Sequence, residues 1–213
     1  MNIKHIYLTG PDGSGKSTLL EAIKNEMQKK GIETTTVWLR SPKIFSKPLM
    51  AYCRLKGYTK YNMKDGVKYG YHNFSSSKAV SFLFPFLQYI DFRIALLLKK
   101  RPQGIILYDR FVLDTLADLM VSTRRLDLHK TWIGRRFLCL MPPSTKVFII
   151  MVDELIIRQR KLDTLHDPNL SLKINIYGIL AKDLNFEVLN NNGEFESTLT
   201  ILKEYFVNNE RMA

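Results

Sequence analysis

Four residues near the start of the chain have the types and spacing to hold phosphate. In GPDGSGKST (residues 10–18), Gly10, Gly15, Lys16 and Ser17 satisfy G-x-x-x-x-G-K-[ST]. Glycines let successive backbone N–H groups curl around an anion, and a helix starting near Ser17 aims its positive dipole end at the same point. Lys16 is placed to reach the outer phosphates of a nucleotide, and the Ser17 hydroxyl is a hard oxygen ligand for Mg²⁺. The predicted nucleotide-binding residues are Gly10, Asp12, Gly13, Ser14, Gly15, Lys16, Ser17 and Thr18. Further along, Asp109-Arg110 closes the apolar run GIILY (104–108). A carboxylate there could hold Mg²⁺ through water, and the adjacent guanidinium is a forked donor for phosphate oxygens. A structural ion pair at a strand end is the alternative, and the phosphate loop in the same chain weighs against it. Arg158, Arg160 and Lys161 put three cations within four residues. They cannot share one helical face, so they read as a lid-like end or as a basic helix terminus complementing its own dipole.

Five apolar or β-branched runs, at 3–8, 33–39, 104–108, 146–152 and 186–189, read as strands. Helical patterns at 17–30, 81–100, 113–122, 131–140, from 153, at 170–184 and at 197–208 separate or follow them. The alternation predicts an α/β fold, a five-stranded parallel sheet covered by helices on both faces. In such a sheet ligands bind at the carboxyl ends of the strands, which is where Arg40 and Asp109-Arg110 fall. The length predicts one domain, residues 1–213, with a basic aromatic insertion at 43–80 and a lid region at 154–168. The insertion interleaves Phe45, Tyr52, Tyr58, Tyr61, Tyr69, Tyr71 and Phe74 with lysines and arginines. It reads as a helical or partly mobile arm covering the acceptor site, with nucleic acid or a membrane surface as alternative partners. Residues 81–100 are apolar nearly all round and predict a buried helix; Pro85, Asp91 and Arg93 argue against a membrane span. Asp91 and Arg93 either pair with each other and backbone, or Arg93 faces a ligand pocket.

The chain has 213 residues, 46% of them hydrophobic, and 32 Lys+Arg against 20 Asp+Glu give a net charge of +12. That field attracts polyanions, nucleotides among them. Cys53 and Cys139 form no metal or redox spacing, so free thiols in a reducing, cytoplasmic setting are expected. No Asn-Lys-x-Asp run is present to read guanine.

Taken together, GPDGSGKST, LRSP (39–42), YIDFR (89–93), ILYDRF (106–111), VFIIMVDE (147–154), RQRKLD (158–163) and FEVLNNNGEFES (186–197) resemble the thymidylate kinases, among the P-loop nucleoside and nucleoside-monophosphate kinases. The resemblance implies a P-loop kinase fold and ATP- and Mg²⁺-dependent phosphoryl transfer to a nucleoside monophosphate, dTMP above others. It places Lys16, Asp109, Arg110, Arg158 and Arg160 in catalysis, and Ser17 and Asp109 at the metal. Asp12 would approach the acceptor sugar, Arg40 and Arg110 would hold the acceptor phosphate, and Arg93 would face the base. Arg158, Arg160 and Lys161 resemble the basic lid of members whose loop lacks an arginine. The chain departs from the pattern at Asp114, where a small polar residue is expected, and at Ala117-Asp118-Leu119, which lacks a base-reading glutamine. Another nucleotide, a nucleoside or a non-nucleotide acceptor therefore stays open, as do a homodimer and a nucleotide-dependent binding protein that uses the basic arm.

Overall fold

The computed structural model describes residues 5–64, 66–99 and 102–210. Its strands are β1 (His5–Thr9), β2 (Thr34–Val37), β3 (Thr59–Lys64), β4 (Val67–His72), β5 (Ile105–Asp109), β6 (Thr145–Met151) and β7 (Glu187–Asn190). Its helices are α1 (Lys16–Lys29), α2 (Ser46–Leu55), α3 (Lys78–Leu98), α4 (Val112–Thr123), α5 (Trp132–Leu138), α6 (Glu154–Arg160), α7 (Leu170–Leu184) and α8 (Phe195–Glu210). Residues 3, 4 and 100, included in the expected first strand and long helix, lie outside the described residues, as does Asp65 of the insertion.

The two-residue period of a strand decides which side chains meet which helices. Tyr7, Ile106, Tyr108, Val147 and Ile149 point into a core shared with α3, α4, α5 and α7. Their neighbours Ile6, Leu8, Leu107, Phe148 and Ile150 point to the other face, against Leu19, Leu20 and Ile23 of α1 and Leu199 and Leu202 of α8. Continuous apolar runs are what a sheet buried on both faces requires. All pairings in this sheet are parallel, in the order β2-β5-β1-β6-β7. β1 is central, and the register sets Leu8 beside Asp109. The loop after β1 therefore leaves the sheet next to the end of β5.

The insertion differs from the expected helical or mobile arm. It holds α2, an antiparallel β3–β4 hairpin and a 3-10 turn at Phe74–Ser76. The legible signal was Asp65-Gly66 between two alternating runs, the dipeptide of a two-residue hairpin loop. The long helix also differs from expectation, because only one stripe is covered. Val80, Phe84, Gln88 and Asp91 are buried, whereas Phe82 on the opposite side is 71% exposed. By length and composition α3 would suffice to cross a bilayer.

Asp91 explains how α2 is held. Its buried carboxylate accepts from the N–H of Phe45 (2.6 Å) and Ser46 (3.0 Å) and from Ser46 Oγ (2.6 Å), satisfying donors at the start of α2 from a neighbouring helix. Asp91→Ala leaves those donors buried without partners, so the stability read by urea denaturation is expected to fall by about 2–4 kcal/mol. A loss under about 0.5 kcal/mol would show that water replaces the carboxylate.

Candidate active site

The glycine-rich segment forms the turn between β1 and α1. Gly13 and Gly15 have φ of 87° and 89°, the left-handed region that suits glycine. Space excludes side chains there as well. A Cβ at Gly13 would lie 3.1 Å from Ile157 Cγ2 of α6, and one at Gly15 would lie 2.7 Å from Asn191 Nδ2. The loop is thus pressed by α6 on one side and by the segment after β7 on the other. Asn191 is buried, donates to the carbonyl of Ser14 (2.9 Å) and is held by Thr198 (3.0 Å). Sequence reasoning does not single out this buttress, Asn191; three consecutive asparagines, Asn190 to Asn192, after a strand are the available sign.

Lys16 is buried, with Nζ donating to Pro11 O (2.6 Å). Burial first, then repulsion from Arg110, lowers its pKa to about 7 against the pull of Asp114 and Asp12. Ser17 lies one residue on, in the first turn of α1 beside the exposed Thr18, and Ser17 Oγ donates to Asp109 Oδ1 at 3.1 Å. A hydroxyl and a carboxylate oxygen in contact at a helix N-terminus suit a hard, hydrated cation such as Mg²⁺, which keeps most of its water. Among the described residues no three His, Cys, Asp or Glu side chains gather as a metal cluster.

On the other side of the loop Asp12 meets three cations. It pairs with Arg110, with Arg40 (3.5 Å) and with Lys173 (3.2 Å). Arg40 and Lys173 also hold Asp118, at 3.0 and 2.8 Å. Burial opposes the charge on both carboxylates, but Lys173 together with Arg110 and Arg40 holds Asp12 well below the usual carboxylate range, and Lys173 with Arg40 lowers Asp118. Arg110 reaches Asp12 through a left-handed backbone, φ 71°, a conformation that costs a non-glycine residue about 1–3 kcal/mol. Its carbonyl is fixed by the N–H of Leu39 (2.9 Å). Its guanidinium also donates to Asp114 (3.3 Å). Asp114 is buried and accepts from Tyr7 (2.6 Å), Tyr177 (3.0 Å) and the N–H of Phe111 (3.2 Å). Burial and the Asp114 charge push both tyrosine pKa values well up, so both hydroxyls stay donors. Lys173 and Tyr177 are one turn apart on α7, at the helical spacing that puts both at the site. Sequence reasoning missed Lys173 and Asp118; the i, i+4 pair on α7 was the only local sign.

Of these groups Asp12, Arg40, Asp118 and Lys173 line a cleft of about 460 Å³, and Arg110 and Asp114 stand behind that lining; the volume is within the range of small-ligand sites. Phe84 and Gln88 of α3 line it, also one turn apart. Both hydrogens of the Gln88 amide are engaged, by Pro42 O and Ser46 Oγ at 2.8 Å each. Arg93, expected to face the base, is not among the lining residues. It is exposed on the outer face of α3 with its guanidinium over Tyr89.

The three cations expected to form a lid are placed differently from one another. Arg158 donates to Glu154 and to the carbonyls of Thr164, Leu165 and Asp167, which ties down the turn after α6. Arg160 donates to Asn191 O (3.0 Å), joining the end of α6 to the buttress. Lys161 packs beside the loop, its Cβ 3.4 Å from where a Cβ of Gly13 would stand.

No protein-family model matches the chain, and no curated protein does. Among solved structures it is similar to a deoxyadenosine kinase from M. mycoides with bound dATP: TM-score 0.53 and 13% identity over 95% of this chain and 98% of the other. The fold is that of the P-loop kinases. At that identity the likeness carries architecture alone, and it supports the sequence resemblance at the level of the fold and not of the thymidylate kinases in particular.

The lowered pKa of Lys16 generates a measurable consequence. At pH 8 a group with a pKa of about 7 is mostly neutral, and a triphosphate beside it favours the ammonium. Nucleotide binding at pH 8 is expected to take up close to one proton, read by calorimetry in buffers of different ionisation enthalpy. Lys16→Met should abolish the uptake; equal uptake in both proteins would place the proton elsewhere.

Proposed function

We propose that the protein transfers the γ-phosphoryl group of ATP, with Mg²⁺, to a nucleoside monophosphate, dTMP being the acceptor favoured by the resemblance in sequence. The supporting observation is the locking of both cleft carboxylates. Asp12 and Asp118 are held ionised by Lys173, Arg40 and, at Asp12, Arg110. Such carboxylates are weak bases, poorly matched to removing a proton from an alcohol. A phosphate acceptor arrives already ionised and needs no base, and guanidinium groups are its preferred partners.

In this reading Lys16 and the loop N–H groups hold the outer phosphates of ATP, and Arg110 and Arg40 orient the acceptor phosphate in line. Ser17 and Asp109 would hold Mg²⁺, which supplies charge neutralisation on the phosphates when bound. Asp12, steadied between cations, accepts a hydrogen bond from the acceptor sugar. Phe84 and Gln88 stand where the base would lie. Arg158 serves transfer indirectly, by shaping the lid turn, while Arg160 and Lys161 close over the donor. The free thiols Cys53 and Cys139 suit a cytoplasmic setting.

A second reading, transfer to an unphosphorylated nucleoside, is favoured by one observation: Arg40 already commits its Nε and Nη2 to Asp118, at 3.1 and 3.0 Å. An acceptor panel of nucleosides and their monophosphates, with ATP and Mg²⁺ and ADP as the readout, separates the two. Monophosphate-dependent ADP is expected, and Arg40→Ala should raise the acceptor KM about 10- to 100-fold with ATP binding unchanged. Turnover confined to unphosphorylated nucleosides would overturn the assignment. ATP binding with no acceptor-dependent ADP would favour the nucleotide-dependent binding protein instead.

A further inference from the structure

The β3–β4 hairpin has no part in the phosphoryl-transfer chemistry above, yet it walls the acceptor cleft. Gly70, Tyr71 and His72 of β4 line it, and β4 rests against the 3-10 turn Leu162–Thr164 of the lid. His72 stands out because two contacts fix its ring. Nδ1 lies 3.0 Å from Oγ1 of Thr59, the residue paired with it across the hairpin and itself buried. One ring face stacks on Phe74 at a centroid distance of 5.3 Å and an interplanar angle of 12°. Phe74 is fully buried and packs at 4.6 Å on Phe84, whose ring lines the cleft. With Nδ1 engaged and one face covered, Nε2 is the polar atom the ring has left to offer. The ring lies in the field of Lys43, Arg54 and Asp118, and Lys43 and Asp118 line the same cleft. Burial, then Lys43 and Arg54, lowers the His72 pKa to about 4, so the ring is uncharged at neutral pH.

A polar group fixed before the ligand arrives loses little entropy on binding. If it faces an edge that cannot pair with it, it is left unsatisfied in a closed cleft, and this is how a site rejects the wrong ligand. We infer that His72 is a specificity-determining residue of the acceptor cleft: its imidazole, fixed by Thr59 and Phe74, hydrogen-bonds through Nε2 to a polar edge of the acceptor's base. The Thr59 hydroxyl serves either tautomer, so Nε2 donates in one and accepts in the other. The inference rests on the nucleotide acceptor proposed above.

Two substitutions separate recognition from a structural role. The amide of His72→Asn falls near the position of Nδ1 and keeps the bond to Thr59, whereas that of His72→Gln falls near Nε2. For the preferred monophosphate, His72→Asn is expected to lower kcat/KM about tenfold through KM, with weaker discrimination between bases, while His72→Gln stays within about threefold. Affinity for a fluorescent ATP analogue should be the same in all three proteins. If either variant melts well below the wild type, Thr59→Val replaces it: His72 stays, its ring is freed, and acceptor KM alone should rise. Turnover by the wild type with the order of the variants reversed, or with all acceptors changed by one common factor, overturns this inference alone. No monophosphate-dependent ADP from the wild type overturns the proposed function and this inference with it.

Discussion

Asp12 is the residue on which the site depends. It lies in a glycine-rich turn set by the central strand, and its cations come from three separate elements: Arg40 after β2, Arg110 after β5 and Lys173 on α7. Each pairing links the phosphate loop to another part of the molecule. Its value lies less in net stability, which partly buried ion pairs seldom supply, than in fixing where three mobile cationic side chains stand. Removing a partner from such a cluster leaves a buried charge uncompensated, so the members act as a unit.

Asp114 and the tyrosines make the second layer of that unit. Arg110 is held between Asp12 and Asp114, and Asp114 is held by Tyr7 from the sheet and Tyr177 from α7. A strained backbone at Arg110 persists because so many groups over-determine it. α7 contributes to both layers with residues one turn apart and begins directly after the lid turn that Arg158 organises. The turn after α6 and the Asp12 cluster are therefore connected by one helix, and Arg158, which has the spacing expected of a lid cation, is committed to Glu154 and to backbone carbonyls.

The two halves of the site differ in how general they are. The donor half consists of backbone N–H groups, one lysine and a hydroxyl–carboxylate pair, parts set by local geometry at the end of a parallel strand. The acceptor half is assembled from side chains of α2, α3, α4, α7 and the hairpin. It balances Arg40 and Lys173 against Asp12 and Asp118.

The phosphate loop, the five parallel strands, the helices between them and the placement of Asp109-Arg110 were legible in the sequence, because each depends on local signals: glycine spacing, apolar runs and strand ends. The hairpin's sign in the sequence is Asp65-Gly66, but the cationic, aromatic composition around it fits an arm equally well. Three things were decided only by tertiary structure. Arg93 and Gln88 lie on the same helix, and only the docking of α2 through Asp91 shows which stripe of α3 turns inward. Arg158 and Arg160 look alike in sequence, and only the path of the chain after α6 assigns their hydrogen bonds to carbonyls. Lys173 and Asp118 carry no motif. Their meaning arises where α4 and α7 meet beside the loop, since charge pairing depends on distances between residues far apart in the chain, which spacing along it does not encode.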